Sequence, residues 1–182
     1  MENLIKFLKT LNNLKKIKRK GWVVKKIKNP ESVADHTTGV AFLAMLFGKK
    51  YKANEEKLIK MALLHDLAEA QIGDDIGRHD GIGDEEKHRL EEEAIIRLCS
   101  NLEDGEEYLK IWKEELEGKT KEAKLTKQFD KIDMVMQALE YEDEVNSPRE
   151  LDEFWEEAYK IIGKGELRFL LDKLALLRKK RK

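Results

Sequence analysis

Apolar residues recur at every third or fourth position through most of this chain, a period that fits helices and does not fit strands. Leu4, Ile5, Leu8, Leu11 and Leu14 follow it, then Val33, His36, Val40, Leu43, Ala44 and Phe47, then the run from Leu58 to Leu64. Leu90, Ala94, Ile95 and Leu98 make a narrow stripe, and Tyr108, Leu109, Ile111 and Trp112 a shorter one. Leu125, Phe129, Ile132, Met136 and Leu139 extend over a long segment from Thr120 to Tyr141. Two last sets, Leu151, Phe154, Trp155, Ala158 and Ile161, then Leu167, Leu170, Leu171, Leu174 and Leu177, complete the series. No segment alternates as a half-buried strand would, and the chain holds only two prolines. The pattern predicts an all-α bundle of roughly eight helices.

Polar punctuation places the helix ends. Glu31-Ser32 opens the second helix, and Asn54 followed by Glu55-Glu56 is an N-cap with acids in the first turn. Asp84 is expected to cap a helix reaching about Leu102, and Ser147-Pro148 is a cap with proline at the first helical position. Residues 17–31 break the period and read as an ordered connection, since Trp22, Val23 and Ile27 need burial. Residues 72–83, with four glycines, read as a loop carrying Asp74, Asp75, His79 and Asp80. No repeat and no boundary stands out. One domain over 1–182 is expected, with its core at 22–142 and C-terminal helices at 148–180 packed on it.

Charged residues make up 40% of the chain, against an average of about 25%, and the net charge is −1. No global field draws the protein to nucleic acid or a membrane surface, so no stable nucleic-acid partner is expected. Locally, residues 1–28 carry ten Lys or Arg and only Glu2 as an acid. These are solvated helix faces, or the stretch Lys15 to Lys28 supplies cations to an anionic substrate. Cys99 is the only cysteine, nothing resembles a signal peptide, and the apolar run Val40–Phe47 is too short to cross a bilayer. A cytoplasmic protein with no membrane partner is the expectation.

The chemistry concentrates where the run ending at Leu64 meets His65, Asp66 and Glu69. Charged side chains on the last turns of an apolar helix need partners or a metal, because burying a polar group unpaired costs about 2–7 kcal/mol. An imidazole beside a carboxylate offers donor atoms suited to a borderline divalent cation. Of the four histidines, His36 also falls on an apolar face, one turn inside the preceding helix. An inward carboxylate from a third helix would complete a metal site. Asp130 and Asp133 both qualify, and periodicity does not choose between them.

At this point the order His36, His65-Asp66, Asp130 resembles the HD-domain superfamily of metal-dependent phosphohydrolases, and within it the 5′-deoxynucleotidases. The likeness runs from Gly21 to about Glu142. It is carried by Gly21-Trp22-Val23, Pro30-Glu31-Ser32-Val33-Ala34-Asp35-His36, Leu64-His65-Asp66-Leu67-Ala68-Glu69 with Gly73-Asp74, Glu85-Glu86-Lys87-His88-Arg89 with Glu91-Glu92-Glu93-Ala94, and Lys127-Gln128-Phe129-Asp130. The resemblance implies a metal held by His36, His65, Asp66 and Asp130, and in doing so favours Asp130 over Asp133. It also implies a catalytic Glu69, a second essential acid at Asp74, and Trp22 near the substrate phosphate. A second cation, such as Mg, is implied at Glu69, Asp74 and Asp75, and the resemblance further implies a homodimer. One departure stands out. The bacterial members carry an Arg directly before the tryptophan to orient the phosphate, whereas this chain has Gly21; Arg19 and Lys20, or Lys25 and Lys26, are the nearby cations that can replace it.

The residue types suit the chemistry. Phosphate-monoester hydrolysis is among the slowest uncatalysed reactions, and a divalent ion both lowers the pKa of water and neutralises phosphoryl oxygens. Two imidazoles and two carboxylates leave open positions on an octahedral ion, which suits Mn, Co or Fe better than a closed tetrahedral zinc site. The expected function is release of phosphate from deoxyribonucleoside 5′-monophosphates. The alternatives are hydrolysis of a triphosphate or alarmone, and a non-catalytic nucleotide-binding module.

Overall fold

A computed structural model describes residues 1–74 and 83–180. Asp75, His79 and Asp80, with most of the expected loop, lie outside the described residues, as do the last two lysine and arginine positions of the basic tail. The described residues form ten α-helices: α1 Glu2–Leu11, α2 Lys20–Val24, α3 Val33–Phe47, α4 Glu55–Leu64, α5 Glu69–Ile72, α6 Asp84–Cys99, α7 Gly105–Glu117, α8 Lys121–Glu140, α9 Asp152–Ile161 and α10 Glu166–Lys180. The fold is all-α, as its periodicity predicts. No helix among the described residues is long and apolar enough to cross a membrane.

The long helix α8 organises the packing. Ala123, Leu125, Thr126, Phe129, Ile132, Met134, Val135, Ala138 and Leu139 are all buried, so this helix is covered on more than one face. One apolar cluster joins α8 to α3, α9, α10 and Trp22; a second joins Leu14, Val33 and the end of α4 to α6 and α7. Each fully buried Leu, Ile or Phe contributes about 1.5–3 kcal/mol, so the two clusters hold α3, α4 and α8 rigidly against one another. The polar residues of interest lie between them.

Side-chain caps fix where these helices begin. The Ser32 hydroxyl accepts the Asp35 amide at 3.2 Å while the Asp35 carboxylate accepts the Ser32 amide at 2.8 Å, a closed capping box at the start of α3. Asn54 and Thr120 cap α4 and α8 in the simpler way. Ser147 caps a 3-10 turn, Pro148–Leu151, that leads into α9.

Several boundaries differ from expectation. The connection at 17–31 contains the short helix α2, pinned by backbone pairing of Arg19 with Glu31 and of Val33 with Ile17. Helix α6 starts from Gly83 rather than being capped by Asp84, and it stops at Cys99, short of Leu102. Met136 faces out while Val135 is buried, and Ile162 rather than Ile161 enters the core. Leu4, Ile5 and Leu8 of α1 and Leu177 of α10 are exposed. In each case the covering neighbour, not the period, decides which side of the stripe is buried.

Candidate metal centre and active site

Helix α4 stops at Leu64, and the backbone turns through His65 to Ala68 on short three-residue hydrogen bonds before α5 begins at Glu69. The break, inside what reads in sequence as one helix, swings His65, Asp66 and Glu69 toward α3 and α8. His36 enters from α3, wholly buried, and Asp130 from α8.

The geometry converges on one point. His36 Nε2 lies 3.4 Å from His65 Nε2, 3.7 Å from Asp66 Oδ2 and 3.1 Å from Asp130 Oδ1, and His65 Nε2 lies 3.2 Å from Asp66 Oδ2. The other ring nitrogens are already engaged. His65 Nδ1 is 2.7 Å from the Ala62 carbonyl, and His36 Nδ1 is 2.8 Å from Asp133 Oδ2. A carbonyl and a carboxylate only accept, so each Nδ1 has a partner ready to take a proton from it. In the neutral rings both Nε2 lone pairs then face each other and two carboxylates. Four acceptors aimed together need a cation, and His36, His65 and Asp66 form a group able to hold a metal ion.

Electrostatics divides the acids. Burial opposes ionisation of Asp66, but His65, Arg19 and His36 outweigh it and hold its carboxyl far below the usual carboxylate range. Asp130 is likewise held well below its usual value, with Lys131, His36 and Arg19 overcoming burial. Burial and Arg19 pull His36 down, yet its bonds to Asp130 and Asp133 win and raise it to about 9. Glu69 goes the other way: burial first, then neighbouring Asp66 and Asp74, push it well above its usual 4.5. Its Oε2 is buried with no hydrogen-bond partner among the described residues. Two carboxylates are thus biased toward the charged form and a third toward the protonated form in one site, the separation that acid–base chemistry uses.

A cavity of about 200 Å³ opens onto this centre, with Asp66, Glu69, Asp74 and Asp130 on one side and Arg19, Lys20, Lys87 and Lys131 around it. Trp22, Met134 and Phe154 supply its apolar wall. Arg19 Nη1 is 3.0 Å from Asp66 and 3.9 Å from Asp74, and its Nη2 is 3.9 Å from Asp130. Asp74 accepts the Lys20 backbone amide at 2.7 Å. Trp22 turns its Nε1–H away from the cavity to Glu31 at 2.7 Å, and its ring packs on Phe154. Lys25 is turned to Glu153 instead.

A model of the HD domain family matches residues 11–168. This chain belongs to the HD-domain family. Its HD-domain relatives include a 5′-deoxynucleotidase HDDC2 of Danio rerio, 39% identical over 85% of this chain and 78% of the relative. A 5′-deoxynucleotidase HDDC2 of Dictyostelium discoideum is 44% identical over 78% of this chain and 79% of its own length. Among solved structures, a conserved hypothetical protein from Pyrococcus furiosus superposes with a TM-score of 0.76 at 33% identity, covering 94% of this chain and 98% of that one.

The HD-domain chain also holds site residues that sequence reasoning missed. Lys131 bridges Asp130 Oδ2 at 3.0 Å and Glu157 of α9 at 2.9 Å, so the residue after Asp130 is part of the cavity rather than the surface. Glu31, inside the segment Pro30–His36, is the partner of the Trp22 indole. Only the adjoining motif could have flagged either. Asp133, a rival to Asp130 in the sequence, takes the other nitrogen of the same histidine.

Proposed function

We propose that this HD-domain protein is a metal-dependent phosphatase that hydrolyses deoxyribonucleoside 5′-monophosphates to deoxynucleoside and phosphate. One observation carries the reading: the Nε2 atoms of His36 and His65 and the carboxylates of Asp66 and Asp130 converge at separations of 3.1–3.7 Å beside a cavity lined by Arg19, Lys20, Lys87 and Lys131. The relatives named 5′-deoxynucleotidase support the substrate class.

In this reading His36, His65, Asp66 and Asp130 hold the ion, with Mn, Co or Fe the best match to two imidazoles and two carboxylates. When bound, the divalent ion polarises a phosphoryl oxygen and lowers the pKa of water. Arg19 and Lys20 receive the phosphate dianion beside the Trp22 wall. Water adds to phosphorus as the bond to the 5′-oxygen breaks, and Glu69, whose carboxyl the site biases toward the protonated form, gives its proton to that leaving oxygen and takes one back from the attacking water. Asp74, oriented by the Lys20 amide, positions water or the deoxyribose. Exposed Phe42, Met45 and Leu46 on α3 support the homodimer.

The test is phosphate release from deoxy- and ribonucleoside monophosphates after chelation and add-back of single metals. Activity that returns only with a divalent transition metal, and prefers the deoxynucleotides, is expected. Turnover without added metal, or equal turnover of unrelated phosphate esters, overturns the reading.

A further inference from the structure

His36 has two ways to satisfy itself, and they have opposite consequences for a cation. With the proton on Nε2 it would donate to Asp130 Oδ1, 3.1 Å away, and direct that proton into the space shared with His65 and Asp66. With the proton on Nδ1 it donates to Asp133 Oδ2, 2.8 Å away, and leaves its Nε2 lone pair for the ion. The two carboxylates lie on consecutive turns of α8 and compete for one ring.

The fold contains a device that favours the second arrangement. A Cβ placed at Gly39, in the middle of α3, would lie 1.9 Å from Asp133 Oδ1 and 2.7 Å from its carboxyl carbon. The Asp133 carboxylate therefore fills the space that any other residue at 39 would occupy, one turn along from His36. Glycine is the poorest helix former after proline, and nothing about the interior of a fifteen-residue helix calls for it here except this contact.

We propose that Asp133, seated in the notch at Gly39, is a positioning residue that selects the metal-binding tautomer of His36 and so sets the affinity of the site. The inference rests on the metal reading above and adds a role for two residues outside the proposed ligand set. Outer carboxylates on ligating histidines typically change metal affinity 10–100-fold.

The experiment titrates metal-free full-length protein with Co²⁺, reading affinity and ligand geometry together from the visible d–d bands, with helix content followed by circular dichroism. Asp133→Ala removes the acceptor from Nδ1 and is expected to weaken Co²⁺ binding roughly 10–100-fold while the bands at saturation keep their wild-type positions. Gly39→Ala keeps the charge at 133 but displaces it, and is expected to weaken binding to a similar extent. The double variant is expected to be no weaker than the poorer single one, because both changes break one contact. Wild-type affinity in either folded single variant, or additive losses in the double, overturns the inference. A wild-type protein that binds no Co²⁺, Mn²⁺ or Fe²⁺ overturns the metal reading itself, a separate outcome.

Discussion

The Phe154 ring stands 3.3 Å from the point where a Cβ at Gly21 would be, so a side chain before Trp22 requires that ring to shift by a few tenths of an ångström. An arginine placed there would have to displace the ring that forms the cavity wall beside Trp22. Arg19 reaches the cavity instead, two residues earlier, held by the pairing of its backbone with Glu31 and by its guanidinium contacts to three carboxylates. Hydrogen bonds to charged groups are worth about 1.5–3 kcal/mol, or roughly 10–100-fold. Arg19→Ala is therefore expected to lower kcat/KM by that factor. Gly21→Arg in the same background is expected to give no rescue and to lower the melting temperature. Steady-state kinetics on a deoxynucleoside monophosphate checks both; full rescue by Gly21→Arg would show that Phe154 yields.

Glu69 gives a prediction for pH. Its carboxyl is raised well above 4.5 by burial and by Asp66 and Asp74, so the fold favours the protonated form. A raised pKa contributes stability that is complete below the unfolded value and is lost as pH rises through the folded one. His36, raised from 6.5 to about 9, loses its own contribution over that interval in wild type and variant alike. Glu69→Gln keeps the neutral shape and removes the ionisation. Denaturant unfolding in chelator is expected to show a shallower loss of stability toward alkaline pH for the variant, which also loses the acid and most of its turnover. Parallel pH profiles for the two proteins, or full turnover by the variant, would refute the assignment.

How much of this was legible depended on how far each feature reached through space. The stripes of α3, α8 and α10 and the caps at Ser32 and Asn54 are local, and the periodicity and turn chemistry show them directly. The break after Leu64 is not, because no glycine or proline marks Leu64 to Ala68; burial of Leu67, Ala68 and Glu69 holds that turn. Helix α2, five residues long, is too short to be stable alone and exists through the backbone pairing of Ile17 and Arg19 before it with Val33 and Glu31, and through the burial of Trp22. Asp130 and Asp133 could not be told apart by period because they occupy the same region of α8 and differ only in which nitrogen of His36 each meets. Lys131, likewise, looks like a surface lysine until Glu157 of α9 is brought against it.

Lys131 is the next residue to change. Its ammonium links Asp130 and Glu157 at 3.0 and 2.9 Å and is largely buried, so its removal leaves two acids facing one another across the α8–α9 contact. Breaking a fully buried pair costs about 3–5 kcal/mol, and the partial exposure of Glu157 places this case lower, at roughly 1–3 kcal/mol. Lys131→Met is expected to lower unfolding stability by that amount, and Glu157→Gln made in the same background to recover part of it by removing the stranded charge. A pair of variants whose losses simply add would show that the bridge is not a functional unit.

Metal removal should be visible in stability as well as in turnover. The acceptors of His36, His65, Asp66 and Asp130 come from α3, from the turn after α4, and from α8, three segments packed in two separate apolar clusters. An ion bound across them stabilises the folded state by mass action, by about 2.7 kcal/mol when free ion stands at 100 times Kd. At roughly 2–4 °C per kcal/mol for a chain of this size, saturating Mn²⁺ or Co²⁺ is expected to raise the melting temperature by about 5–10 °C over the chelated protein. His65→Ala removes one of the two facing imidazoles and is expected to abolish most of that shift, while its metal-free melting temperature changes far less than the shift it loses. Thermal unfolding with and without each ion measures both quantities. A melting temperature that does not respond to any divalent ion in the wild type would mean that the converging acceptors are satisfied by protons and Arg19 alone.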